Sequence, residues 1–430
     1  MAASFQFGKI LQTLAHRNFG VYVAGNVGSL IGTWMQRIAA GWFTWELTQS
    51  ATWLGLVAFA DLFPAVVIAP FAGVAADRWD RLKMMKLAQI LGFLIGGVLA
   101  LLFFAGQVTV WTLLIVTLML GTVDAFVQPF RLAFVSALVP RSDLTTAVAI
   151  KSITFNLARF VGPAIAGIVI ATVGVGWAFA ANALSFLVLL GALLMVRLAP
   201  VARTVPTKKV SVIADAIEGV RHAVSTPGIG IVLGLLSVTC LAGRPVVELL
   251  PGWAGEIFSG NASDLAALTS AVGIGAVFGG LWLAGRPSIV GLVRAYLFCC
   301  LGMALSLLAF SLSFHTLVAL PTMVVSGFFL VASAICAQTL VQVNVEDGLR
   351  GRVLSVYAMI LRGGPAVGAL IMGYMGDFVG LRWPLIGGCV ILLVATGLVF
   401  LRRRGIEDVL EGRFKPTEPG SPPVLDDERG

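Results

Sequence analysis

Asp61 and Glu248 each lie inside a long apolar run. An acid within a membrane span is costly unless it is paired or has work to do. A carboxylate there can exchange a proton, so both residues are candidates for proton coupling. Arg159 and Arg362 lie inside apolar runs too, roughly 15–18 Å deep at the helical rise per residue. They read as cationic contacts for an anionic or polar solute; the alternative is that each neutralises a carboxylate such as Asp61 or Asp124. Tyr22, Asn26, Ser29, Thr33 and Gln36 recur at spacings of four, three, four and three, a polar stripe on one helix face. Such a stripe suits the wall of an aqueous cavity, with Asn156 placed beside it; glue between helices is the alternative. Arg37, Arg244 and Glu248 fall in outer halves, where a structural or gating role is expected. No Ser-His-Asp set, paired acids or metal-ligand spacing occurs. No catalytic residue, metal or cofactor is expected. The five cysteines sit in apolar runs without a CxxC spacing and read as core residues.

The elements that carry these residues follow from composition. The 430-residue chain is 58% hydrophobic and 12% charged, with a mean hydropathy of +0.97. A soluble domain carries about twice that share of charge, so the class is a polytopic, all-α membrane protein. A span needs about 20 apolar residues. Twelve fit, near 19–46, 52–75, 84–105, 109–128, 147–172, 176–197, 228–250, 265–284, 289–311, 316–341, 353–376 and 383–401. The run from Phe19 is too long for a signal peptide and reads as the first span.

Of 29 lysines and arginines, 24 fall on the side shared by both termini. By the positive-inside rule both termini are cytoplasmic. The net charge of +8 therefore faces anionic lipid and is no nucleic-acid patch. Residues 1–197 form one six-helix half and 228–402 the other, joined by a 198–227 linker. Val212, Ile213, Ala216, Ile217 and Val220 give that linker an amphipathic helix. Residues 403–430, rich in Pro and charge, read as a disordered tail.

The halves repeat: NLARFVGPAIAG (156–167) resembles MILRGGPAVGAL (359–370). Duplicated six-helix halves are the plan of the major facilitator superfamily. GVAADRWDRLK (73–83) resembles that superfamily's loop between the second and third helices. GTWMQRIAAGWFTWELTQSATWLG (32–55), DAFVQPFRLAFVSALVP (124–140) and NLARFVGP resemble its bacterial exporters of enterobactin and macrolide type. The resemblance implies twelve transmembrane helices in two pseudo-symmetric halves. It also implies a conformational latch, with Asp77 against the N-terminus of the eleventh span, near Arg352. Arg78 and Arg81 flank it, and Arg81, aided by Asp124, would hold Asp77. The second half has Ala284 where the first has Asp77, so the latch is one-sided.

The expected function is secondary export of a small amphipathic compound of drug or siderophore type from a bacterial inner membrane. Proton antiport by rocking of the halves would drive it. The expected partners are the solute and the lipid bilayer. The rival readings are a lipid or lysolipid flippase and a non-transporting sensor or scaffold.

Overall fold

The computed structural model describes residues 2–197, 218–222, 225, 226, 228–286 and 288–412, without the side chains of residues 2–7, 70, 77, 347 and 348. Most of the expected linker helix therefore lies outside the described residues.

Helices α1 (Ala2–Ala15) to α8 (Val175–Met195) build the first half: α2 (Arg17–Thr48), α3 (Ala51–Leu62), α4 (Pro64–Arg78), α5 (Arg81–Phe104), α6 (Val110–Val135) and α7 (Leu144–Val173) lie between. The second half comprises α9 (Ile229–Ala242), α10 (Val246–Gly252), α11 (Ala262–Ala284), α12 (Leu292–Ser311), α13 (Thr316–Asn344), α14 (Asp347–Val379) and α15 (Arg382–Leu401), followed by α16 (Arg403–Glu411). Among the described residues, eleven stretches are long and apolar enough to cross a bilayer. The twelfth span, α2, has 32 residues but a polar stripe that lowers its hydropathy.

Three helix starts in the first half are capped by side chains that the loops supply. Ser50, Asp80 and Thr109 accept from the backbone of Trp53, Lys83 and Thr112, satisfying amides the helix leaves open. The second span breaks at Phe63, because Pro64 has no amide to donate. Gly121 of α6 packs against the carbonyls of Ala60 and Asp61 at this break; only a residue without a side chain permits that approach.

The two halves use one packing scheme. In the first, α2 packs on α7 and α8, α5 on α6 and α8, and α3 and α4 on α6. In the second, α9 packs on α14 and α15, α12 on α13 and α15, and α11 on α13. The repeated Gly-Pro pairs hold equivalent places: Gly162 lies against Trp34 of α2, and Gly364 against Cys240 of α9.

Between halves, α3 packs on α14 and α7 on α11, whereas α4 touches α14 only lightly. Gly55 lies against Ala369 and Leu370, and Gly373 and Gly376 against Ala51. The halves are thus sealed at the end where α3 starts, which the Lys and Arg distribution assigns to the outside. They part toward the other end.

Two expectations need correction. Residues 403–411 are helical, because Ile406 and Leu410 bury one face. Glu407 pairs with Arg294 at 2.8 Å, and Glu411 accepts the amides of Gly291 and Val293 at 2.6 and 2.7 Å. The rest of the tail lies outside the described residues. Asp124 is not near a helix end, since α6 runs through Pro129 to Val135 and leaves it mid-helix.

Candidate functional site

A cavity of about 490 Å³ lies between the halves. Its polar wall starts from α2: Asn26, Ser29, Thr33, Gln36 and Arg37 all line it. Tyr22 does not. It lies nearer the start of α2 than the rest of the stripe and is buried there against Phe134, ring centroids 5.3 Å apart. Asn156 is also outside the cavity and donates to the Ser152 carbonyl of its own helix at 2.9 Å.

Five arginines and three carboxylates line the cavity. Arg37 pairs with Asp61 at 3.0 Å, and Arg131 with Asp124 at 3.3 Å. Asp61 is thus held by Arg37, and Asp124 by Arg131, rather than by Arg159 or Arg362. Asp61 is the penultimate residue of α3, beside the break at Phe63, and reaches Arg37 of α2. Trp34 lies between two cations, with Arg37 at 5.1 Å and Arg159 at 5.7 Å from its ring centroid. Both stand within the range in which an aromatic face attracts a cation.

The second half contributes Arg244, Glu248 and Arg362. The Arg244 guanidinium donates to the Leu330 carbonyl at 3.1 Å. Glu248 stands within electrostatic reach of Arg37, Arg159 and Arg244, and Arg362 within reach of Asp124. Among the described residues no ion pair closes on Glu248, Arg159, Arg244 or Arg362. Gln36 Nε2, Arg37 Nε and Arg131 Nε are buried without a protein partner. Buried donors require an acceptor, so this wall is built to receive one.

Above the cavity the seal is made by side chains. The Trp45 ring lies on Gly252 and Gly255. At the very end, Asp377 of α14 reaches the start of α3: Oδ1 accepts from the Ala51 amide at 2.6 Å, and Oδ2 from the Thr52 amide at 3.2 Å and from Ser50 Oγ at 2.6 Å. A carboxylate on one half thus caps a helix of the other. The sequence held a signal for Asp377: an acid in the last turn of a helix opposes the dipole there and needs an outside partner.

The expected cytoplasmic latch is only partly visible. Asp77's side chain lies outside the description. Arg78 is exposed. Arg81 donates to the Ala133 carbonyl at 3.1 Å and Arg352 pairs with Glu218 at 3.0 Å. Asp124 takes no part, being held in the cavity wall.

Residues 10–427 match the family described as transmembrane secretion effector, of the major facilitator type. The chain belongs to this family. As a transmembrane secretion effector it is a multi-pass membrane transporter and not an enzyme. It is 26% identical to the staphyloferrin A transporter of Staphylococcus aureus, over 87% of this chain and 94% of that one. It is 25% identical to macrolide efflux protein A of Streptococcus pyogenes, over 86% and 93%, and 28% identical to the enterobactin exporter of Shigella flexneri, over 77% of each. A bacterial homologue of the lysosomal transporter Spinster, solved inward-facing and occupied, superposes with a TM-score of 0.71 at 14% identity, over 90% and 96%; this likeness concerns the fold.

Proposed function

We propose that the protein exports a small amphipathic anion, of siderophore type, from the cytoplasm by alternating access. The observation that carries this is the charge of the cavity. Two arginines are matched by Asp61 and Asp124, which leaves Arg159, Arg244 and Arg362 facing Glu248 alone. Such a surplus attracts oxyanions and repels a basic amine, and Trp34 offers an aromatic face to the apolar part of a solute. The names of the relatives include both siderophore and macrolide transport; the charge favours the first.

We further propose that the proton gradient is coupled through Asp61, with Glu248 as its counterpart. Arg37 and Asp61 belong to the first half and Glu248 to the second. Arg37 stands 3.0 Å from Asp61. A proton on Asp61 releases Arg37, which Glu248 then attracts across the cavity, drawing the first and seventh spans together. Protonation and substrate thus favour different arrangements of the same arginine, as antiport requires. Both termini face the cytoplasm of a bacterial inner membrane in this reading, and the structure is its inward-open state.

The experiment is accumulation in inside-out proteoliposomes under an imposed pH gradient. Asp61→Asn should abolish gradient-driven accumulation while substrate binding and downhill exchange persist. If the variant still responds to the pH gradient and instead loses folded yield and binding together, Asp61 only holds Arg37 and coupling lies elsewhere.

A further inference from the structure

A second cavity, of about 540 Å³, opens on the lipid-facing side between α12 and α15, beneath α16. Nothing in the transport reading uses it. Its walls are apolar, from Leu297, Phe298, Leu301, Leu393 and Phe400, and its rim is basic, from Arg294, Arg403 and Arg404. The rim lies at the ends of the spans nearest both termini.

The three arginines have different tasks. Arg294 is bound twice by Glu407, Nε at 2.8 Å and Nη2 at 2.9 Å, and so fixes α16 against the bundle. Glu411 adds a second tie by accepting the amides of Gly291 and Val293. Arg403 stacks over the Phe400 ring at 3.8 Å from its centroid. Among the described residues no carboxylate pairs with Arg403 or Arg404. Thr396 adds an independent observation: it lines the groove, is 4% exposed, and its hydroxyl has no partner. A buried hydroxyl without a partner calls for an acceptor or donor from a ligand. Leu401 ends α15 five residues after Thr396, roughly 7–8 Å along the helix axis, and Arg403 opens α16 beyond the turn at Arg402.

We propose that this groove holds one anionic phospholipid of the cytoplasmic leaflet. The phosphate lies at Arg403 and Arg404, the Thr396 hydroxyl donates to a glycerol ester carbonyl, and an acyl chain follows Phe298, Leu301 and Leu393. Charge complementarity selects this occupant. Basic pockets between membrane helices on the cytoplasmic side take acidic head groups, and the ester lies deeper than the phosphate, as Thr396 lies deeper than the arginines. The occupied groove ties α16, and through Glu407 and Glu411 the start of α12, to the membrane surface.

The test uses full-length protein in nanodiscs of phosphatidylcholine with increasing phosphatidylglycerol, reading lipid retained after detergent extraction and the melting temperature. Wild type should retain phosphatidylglycerol over phosphatidylcholine and gain thermal stability with it. Arg403→Gln with Arg404→Gln should weaken that retention by about fivefold for each arginine removed. Thr396→Val, isosteric and buried, should lower retention with the arginines intact. Arg141→Gln with Arg197→Gln removes the same charge from the other half and should leave retention unchanged. Equal retention of phosphatidylcholine, or an equal loss in the Arg141 and Arg197 control, would show a nonselective groove and overturn the proposal. Transport is not the readout, so the outcome is separate from that of the export reading.

Discussion

Trp34 and the arginines around it decide what the cavity can hold. Arg362 has no ion pair among the described residues, so its charge is available to a solute. A hydrogen bond to a charged group contributes about 1.5–3 kcal/mol. Arg362→Ala should therefore raise the apparent KM about tenfold or more, with Arg362→Lys between the two because Lys lacks the planar fork. An unchanged KM in the Ala variant would assign Arg362 to packing. Trp34→Ala should weaken binding, because it removes the aromatic face and frees Arg37 and Arg159 to move; equilibrium binding of substrate to purified protein checks this, and unaltered affinity would remove Trp34 from the site. The arginines were legible because charge deep in an apolar run is conspicuous. Trp34 and Arg131 were not: no spacing singles out Trp34, and Arg131 falls outside the expected 109–128 span. Their partners sit on other helices, and no spacing within α2 or α6 shows that. Tyr22 shares the face of the stripe but lies near the start of α2, where Phe134 of α6 covers it, and no spacing within α2 shows that.

The antiparallel pair of the second and eleventh spans carries an acid at each C-terminal end. Asp377, ending α14, caps the start of α3. Asp77, near the end of α4, is the matching position for the start of α14 at the other face. The expectation from the sequence was a latch on one face alone; the arrangement suits a toggle, in which Asp377 holds the inward-open state and Asp77 the outward-open one. Loss of a capping side chain costs about 0.5–2 kcal/mol, enough to shift a two-state equilibrium several-fold. Asp377→Ala should widen the outer end and Asp77→Ala should favour the sealed form. Spin labels at Gln107→Cys and Phe314→Cys, in exposed outer loops of opposite halves, report this as an interspin distance distribution; the native cysteines are all buried. Identical distributions in Asp377→Ala and wild type would remove Asp377 from the gate. Helix number and order were legible from hydropathy, because a span is defined by its length in oil. The break at Phe63 was foreseeable from Pro64. The helical part of the tail was not, because its stability comes from Arg294 and the open amides of α12, far away in sequence.

At the scale of the whole molecule, the sealed end, the parted end and the cationic cavity fit the proposed cycle, in which the cavity loads from the cytoplasm, the halves rock, and the seal of Asp377 and Trp45 gives way. An anion leaving the cell also moves down an inside-negative membrane potential, worth about 2.3 kcal/mol per charge per 100 mV. The potential therefore adds to the proton gradient, and export should slow when the potential is collapsed at constant pH gradient. The sign of the substrate's charge is the point on which this account stands. The measurement is accumulation by inside-out proteoliposomes, under one imposed gradient, of a polycarboxylate siderophore and of a basic macrolide. The anion should accumulate, Arg159→Ala with Arg362→Ala should abolish that accumulation, and the macrolide should stay at the level of empty vesicles. Accumulation of the macrolide alone, unaffected by the loss of both arginines, would contradict it.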